Sequence, residues 1–165
     1  MPDTHSFDVT TGVDLQEVDN AINQAQKEIA TRYDFKDAVV SIELDKKAGS
    51  IKLAADNDFR MKALWEVVQA RLVKRHVPVK NLDVSADTLT GTTVRREVKL
   101  KTALDGETAK KVAAAIKAAK LKKVQAAIQG DQVRVSSPSR DELQGAITLL
   151  RGQDFGVELQ FGNYR

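Results

Sequence analysis

Apolar positions along the chain alternate with a spacing of two residues in some segments and recur every three to four residues in others. Alternation over a short segment predicts a β-strand, whereas a spacing of three and four predicts one face of an amphipathic α-helix. The turn candidate Lys46–Gly49 joins two alternating segments into a hairpin. In order, the first half is predicted to contain a strand at 6–10, a helix at 15–29, a hairpin at 40–53, a helix at 61–72 and a strand at 82–84.

The same order of elements returns in the second half. Gly130-Asp131 is the two-residue turn signal of the second hairpin, and Ser139 with Glu142 forms a capping box ahead of a helix. The other N-cap candidates are Asp14, Asn57 or Asp58, and Asp105. This half is predicted to contain a strand at 94–101, a helix at 109–119, a hairpin at 124–135, a helix at 143–150 and a strand at 157–161.

Each half therefore has the order β-α-β-β-α-β, which predicts an α+β protein built from two ferredoxin-like domains. In that arrangement two helices cover one face of an antiparallel sheet, and the other face is open. Residues 1–90 form the first predicted domain and residues 91–165 the second, with the junction at Thr88–Thr93.

Composition limits the class of protein. The 165 residues are 42% hydrophobic and 30% charged, as in globular proteins, and no apolar run approaches the ~20 residues needed to cross a bilayer. The absence of cysteine excludes disulfides, thiol catalysis and Cys-ligated metal sites. The first residues lack the basic and apolar regions of a signal peptide, so a cytoplasmic location without membrane association is predicted.

The net charge of +3 conceals an uneven distribution. Residues 1–60 contain seven basic and twelve acidic side chains, whereas residues 91–123 contain ten basic and three acidic ones. A local basic surface attracts phosphate groups. The alternative is that these lysines only solvate a helix and its exit. The lysines in question are Lys110, Lys111, Lys117, Lys120, Lys122 and Lys123.

Motifs for enzymatic chemistry are missing. Neither the G-x-G-x-x-G motif of dinucleotide binding nor the P-loop motif occurs. The two histidines, His5 and His76, lie far apart in the sequence and belong to no recognisable ligand or nucleophile motif. The sequence therefore predicts no enzyme activity, no catalytic residue, no cofactor and no metal site.

The strand at 94–101 contains the strongest candidate chemistry. Arg96, Val98 and Leu100 are expected to share the face that packs on the helices, which leaves Arg95, Lys99 and Lys101 on the open face. Stacking aromatics are not expected there, because Phe7 and Phe161 share the parity of core positions. The alternatives are a solvated sheet face or an edge strand protected by charge. The predicted phosphate-binding residues are Lys52, Arg95, Arg96, Lys99, Lys101 and Arg134.

Several short segments occur in the same order in one known family. They are Ser6–Val9, Asp14–Val18, Arg32–Lys36, Lys122–Ala126, Ile128–Asp131, Val133–Ser136, Ser139–Gln144 and Phe161–Arg165. Together they resemble the YajQ family of bacterial proteins, from residue 6 to the C-terminus. The chain has Tyr33 and Tyr164 where the family often has Phe, and Glu142 where it often has Asp.

The resemblance implies two ferredoxin-like domains that exchange their first strands, so that strand 6–10 completes the second sheet and strand 94–101 the first. It also implies nucleotide binding. Some members are described as cyclic di-GMP receptors that act with a transcription regulator, and others are associated with nucleotides or tRNA. No catalytic or binding residue is transferred with the resemblance.

Three functional hypotheses follow. The first is a non-enzymatic nucleotide receptor, with cyclic di-GMP as the predicted ligand and a protein such as a transcription regulator as the partner. The second is an RNA-binding protein, with tRNA as the candidate, that uses the basic surface of the second domain. The third is a docking protein without a small ligand. Salt dependence separates the first two, because RNA binding weakens steeply as salt rises.

Overall fold

The computed structural model describes residues 4–165, in which four α-helices and nine β-strands form two separate sheets. Two single-turn 3-10 helices, Tyr33–Phe35 and Val79–Asn81, lie in connecting segments. The helices are α1 (Leu15–Thr31), α2 (Asp58–Lys74), α3 (Gly106–Ala118) and α4 (Arg140–Arg151). The strands are β1 (His5–Thr10), β2 (Val40–Asp45), β3 (Ser50–Ala55), β4 (Leu82–Val84), β5 (Thr88–Thr90), β6 (Thr93–Leu100), β7 (Gln125–Gln129), β8 (Gln132–Ser137) and β9 (Gln160–Gly162).

Both sheets are antiparallel and have the strand order of a ferredoxin-like domain, which confirms the predicted α+β fold class. One sheet has the order β2-β3-β6-β4, with β5 also paired to β6, and the other has the order β7-β8-β1-β9. Strand β1 therefore lies between β8 and β9, and β6 lies between β3 and β4. The first strand of each half of the sequence is thus part of the sheet formed by the other half.

The compact units follow from this pairing. The first unit contains residues 13–102, and the second unit contains residues 4–12 together with 103–165. The predicted junction at Thr88–Thr93 lies inside the first unit, because these residues form β5, its turn and the start of β6. Gly91 makes that turn with a φ of +63°, which suits a residue without a Cβ. The chain passes from one unit to the other between residues 12 and 13 and again between residues 102 and 103, not between residues 90 and 91.

Each helix begins at a predicted capping residue. The Asp14 carboxylate accepts a hydrogen bond from Gln16 N at 3.0 Å, and the Asn57 side chain accepts one from Arg60 N at 2.8 Å. Equivalent bonds start α3 from Asp105 and α4 from Ser139, in keeping with the capping function of short polar side chains. Asn57, rather than Asp58, is therefore the N-cap of α2.

The last strand is shorter than the predicted 157–161. Only Gln160–Gly162 pairs with β1, while Val157 is buried in the preceding segment. The hydroxyl of Thr11 donates to the carbonyl of Glu158 at 2.6 Å, so this part of the segment is held by a side chain instead of by a strand ladder.

Each unit has its own hydrophobic core between its sheet and its two helices. Ile51, Leu53 and Val98 pack with apolar residues of α1 and α2 in the first unit. Phe7 is fully buried in the second unit and meets Phe161 edge-on, with 5.9 Å between ring centroids. The predicted inward orientation of both aromatic side chains is confirmed. No helix within residues 4–165 combines the length and apolar content that a membrane span requires.

Candidate functional site

The open face of the first sheet contains charges of both signs. Cross-strand register places alternate residues of β2, β3, β6 and β4 on the face that the helices do not cover. This face is therefore a mixed surface, and only some of its cations remain free for a ligand. Its basic residues are Lys52, Arg95 and Lys99, and its acidic residues are Glu43, Asp45, Asp83 and Glu97.

Arg95 is the cation on this face whose cross-strand neighbours are small and uncharged. Its partners across the ladders are Ala54 on β3 and Thr88 on β5. The side chain is exposed, and within residues 4–165 it forms no ion pair. A guanidinium group in this setting keeps all of its donors available to an anion.

The lysines on the same face stand beside carboxylates. Lys52 lies between Glu43 and Glu97 in the register, and its Nζ is 3.6 Å from Asp45 Oδ2. Lys99 pairs across the ladder with Asp83. These acidic neighbours lower the attraction that either lysine has for a phosphate.

Lys101 is not on the open face as predicted, whereas Arg96 lies on the face opposite Arg95, as the alternation predicts, and has a carboxylate partner that the sequence did not identify. Lys101 lies beyond the end of β6 and is half-buried, and its backbone exchanges hydrogen bonds with Asn81. The Arg96 guanidinium donates two hydrogen bonds to Asp87, at 2.6 and 2.9 Å, and its side chain is 19% exposed. Asp87 raises the pKa of Arg96, so this arginine is held as half of a bidentate ion pair.

A cavity of about 220 Å³ opens beside Arg95. Three of the six predicted residues line it, namely Lys52, Arg95 and Arg96, together with Thr88 and Ser85. The Ser85 hydroxyl is engaged with the backbone of Glu97, donating to its carbonyl at 2.8 Å. The volume is below the 300–1,000 Å³ of common small-molecule sites, which suits a phosphate and part of its sugar better than a whole nucleotide.

Arg134 lies in the second unit, apart from the other predicted residues. Its Nε donates to Asp8 Oδ1 at 2.9 Å, and Asn163 Nδ2 donates to Asp8 Oδ2 at 2.6 Å. The hydrogen bond from Arg134, followed by that from Asn163, holds the pKa of Asp8 below its ordinary value against the opposing effect of burial. Arg134 therefore neutralises a buried carboxylate on the open face of the second sheet.

The predicted lysine surface of the second unit is exposed. Lys117 lies in the last turn of α3, and Lys120, Lys122 and Lys123 follow in the segment that leads to β7. Lys111 pairs with Glu107 at 3.8 Å, and both side chains are largely solvated. The four lysines at the end of α3 form the densest group of exposed cations within one short segment of the described chain.

A second cavity, of about 350 Å³, is lined by residues that no sequence pattern marks as a site. It lies in the second unit and is lined by the start of β1, one face of α4 and the C-terminal residues. Arg140, Tyr164 and Arg165 stand at this cavity, although 24 and 25 residues separate Arg140 from the other two in sequence. No local spacing or motif joins these positions, so only the folded chain brings them together.

Residues 4–165 contain no cluster of three or more His, Asp or Glu side chains arranged to hold a metal ion. The two cavities described above are lined by guanidinium, ammonium, hydroxyl and aromatic groups, with the Glu97 carboxylate also at the cavity beside Arg95. The cationic and hydroxyl groups bind anions, and the aromatic groups stack on planar rings.

Comparison with known proteins agrees with this chemistry. Residues 5–165 match the model of the family described as nucleotide-binding protein YajQ-like. A nucleotide-binding protein of Koribacter versatilis is 47% identical over 162 residues, covering 98% of this chain and 97% of that protein. A nucleotide-binding protein of Carboxydothermus hydrogenoformans is 46% identical over 166 residues, covering both chains completely. One of Oleidesulfovibrio alaskensis is 48% identical over 161 residues, covering 97% and 98%.

Proposed function

The chain belongs to the YajQ-like family of nucleotide-binding proteins, and on that premise we propose that it binds a nucleotide without catalysing a reaction, with a phosphate against Arg95. The observation that supports this most directly is the exposed, unpaired guanidinium of Arg95 at the edge of a cavity. A charge-assisted, bidentate contact from arginine is the strongest protein contact to a phosphate.

The proposed ligand is compact. Four carboxylates surround the three cations of this face, so a long polyanion would meet repulsion beyond its contact with Arg95. A cyclic dinucleotide carries only two phosphates and avoids most of that repulsion. One phosphate with part of its sugar would enter the cavity, and the rest of the ligand would lie on the open face of the sheet. We place cyclic di-GMP first among the ligands, in line with the resemblance found in the sequence, and a protein partner such as a transcription regulator as the recipient of the signal.

Calorimetric titration with cyclic di-GMP and with GTP tests the proposal. Arg95→Ala should weaken binding about tenfold or more, the loss of one charge-assisted contact. Lys99→Ala should have a smaller effect, because Asp83 already faces that lysine. Lys62→Ala is the matched control, since Lys62 is an exposed cation of the same unit on α2, outside the sheet.

Two results would contradict the proposal. If Arg95→Ala binds cyclic di-GMP and GTP with the affinity of the unmodified protein, the surface at Arg95 is not the binding site. Absence of binding of either nucleotide to the unmodified protein removes the function itself.

RNA binding is the second candidate, and the exposed lysines at the end of α3 support it. Replacement of Lys117, Lys122 and Lys123 by Gln should reduce the affinity for tRNA and flatten its dependence on salt, because each lost phosphate contact lowers the log–log slope. Cyclic di-GMP binding should be unchanged in the same variant. Equal tRNA affinity in the variant and the unmodified protein would leave these lysines as a solvated surface.

A further inference from the structure

The cavity of about 350 Å³ in the second unit has walls and a rim of different chemistry. Phe7, Leu143 and Ile147 form apolar walls that are part of the hydrophobic core. Arg140, Tyr164 and Arg165 are exposed and stand at the same cavity. An apolar pocket with a few convergent polar groups is the usual form of a small-molecule site.

Local structure accounts for the side chains that α4 contributes. Arg140, Leu143, Gln144 and Ile147 are spaced at three, one and three residues and so lie along one side of the helix. Leu143 and Ile147 are buried against the sheet, whereas Arg140 and Gln144 are exposed. The same side of the helix therefore supplies both the apolar floor and two polar groups.

The C-terminal residues are held beside β1 by backbone hydrogen bonds. Ser6 N donates to Arg165 O at 3.1 Å, and Arg165 N donates to Ser6 O at 3.0 Å. This pairing fixes Tyr164 next to Phe7, with 6.3 Å between ring centroids, while 63% of Tyr164 remains exposed. The exposed ring is thus positioned by the sheet and is available to stack on a planar group.

The side chains that line this cavity include two arginines and, among the described residues, no Asp or Glu. Within residues 4–165 neither Arg140 nor Arg165 forms an ion pair. Arg140 Nε donates a hydrogen bond to Nδ1 of His5, which also lines the cavity, at 3.5 Å. Arg165 helps to lower the pKa of Asp8, so part of its charge is offset, whereas no carboxylate among the described residues pairs with Arg140. Guanidinium groups beside an apolar cavity attract an anion.

We propose that this cavity is a second ligand site of the protein, for a nucleoside monophosphate whose base stacks on Tyr164 and whose phosphate contacts Arg140 and Arg165. The combination of a planar aromatic ring and an anionic group matches the exposed ring and the two cations. The volume is within the range of small-molecule sites. The inference goes beyond the proposed function, because it concerns another unit and shares no residue with the cavity at Arg95.

Calorimetric titration with GMP, guanosine and inorganic phosphate separates the contribution of base stacking from that of the phosphate contacts. GMP should bind more tightly than either fragment alone. Arg140→Gln should weaken GMP binding about tenfold or more, through loss of a charge-assisted contact. Tyr164→Ala should weaken it by a similar factor, through loss of base stacking, and Tyr164→Phe should retain the affinity because the ring is preserved.

Arg151→Gln is the matched control for charge. Arg151 is exposed on the same helix and lies over the Phe161 ring at 5.2 Å, outside the cavity. Its replacement should leave GMP affinity unchanged. Thermal unfolding checks that each variant is folded.

The outcomes distinguish this site from the one at Arg95. Unchanged GMP affinity in both Arg140→Gln and Tyr164→Ala, or failure of GMP to bind the unmodified protein, overturns the inference. If Arg95→Ala alone abolishes GMP binding, the site in the second unit is rejected and the proposed function stands. If GMP binding depends on Arg140 and Tyr164 while Arg95→Ala leaves every nucleotide unaffected, the second-unit site stands and Arg95 is rejected.

Discussion

The guanidinium of Arg134 on β8 donates two hydrogen bonds to the carboxylate of Asp8 on β1, across 126 residues of sequence. Asp8 is 4% exposed, and Asn163, just beyond β9, donates a third hydrogen bond to it. The carboxylate therefore links β1 to both of its neighbouring strands. This linkage matters because β1 belongs to a sheet that the N-terminal half of the chain does not otherwise form.

Asp8→Ala should lower the free energy of unfolding by about 1–3 kcal/mol, because it removes three hydrogen bonds to a nearly buried carboxylate. Arg134→Ala should also lower the free energy of unfolding, since it leaves the buried Asp8 carboxylate with Asn163 as its one remaining side-chain donor among residues 4–165. Urea unfolding of both single variants and the double variant measures the coupling. If the losses in the two single variants add up to the loss in the double variant, the ion pair contributes no interaction energy.

Stability should fall in acid through the same carboxylate. The pKa of Asp8 is lowered in the folded protein, so its contribution is fully present above the ordinary carboxyl pKa of about 3.9 and is lost as pH decreases through the lowered value. In that window the unfolded chain binds the additional proton, so the free energy of unfolding rises with pH. Asp8→Asn, followed by urea unfolding from pH 6 to pH 3, should show a smaller rise than the unmodified protein. Parallel curves would assign the acid dependence to other carboxylates.

Fragments should fold according to the units and not according to the halves of the sequence. Residues 13–102 contain every strand of the first sheet, so this fragment should be soluble and unfold cooperatively. Residues 1–90 lack β6, which leaves β3 as an open edge and β4 without its partner, and this fragment should aggregate. Thermal unfolding and sedimentation compare the two. A cooperative transition in 1–90 would mean that the first sheet does not need β6.

Phe7→Ala should lower the free energy of unfolding by about 3–5 kcal/mol, the usual effect of removing a fully buried aromatic ring. The ring packs between β1 and α4 and meets Phe161 edge-on. Phe7→Leu retains much of the apolar volume, so its free energy of unfolding should fall considerably less than that of Phe7→Ala. Urea midpoints of the two variants test this order, and a loss below about 1 kcal/mol in Phe7→Ala would place the ring outside the core.

Several features followed directly from local sequence. Asn57 and Ser139 start helices because a short polar side chain can accept a hydrogen bond from an amide two or three residues ahead. Phe7 points inward because side chains of a strand alternate between its faces, and its neighbours of the same parity are apolar. Arg95 is exposed for the same reason. Each of these outcomes depends on residues within a few positions of one another.

Other features depended on partners that local sequence does not identify. Arg95 and Arg96 are adjacent and chemically identical, yet Arg96 is bound to Asp87 and Arg95 is free, because β5 pairs with β6 in one particular register. If β5 were shifted by one residue, Asp87 would no longer lie opposite Arg96. Alternation along β6 places the two arginines on opposite faces, but it does not show that Asp87 reaches Arg96.

The amino-acid sequence by itself determined the elements, their order, the α+β class and the inward or outward direction of individual side chains, because periodicity and capping act over one turn of helix or a few residues of strand. Only the tertiary structure decided which residues meet across the sheets. The pairing of Asp8 with Arg134 and the convergence of Arg140 and Tyr164 on one cavity both arise from β1 lying between β8 and β9. Both depend on the register of β1 with strands more than a hundred residues away in sequence, a distance over which local propensity has no influence.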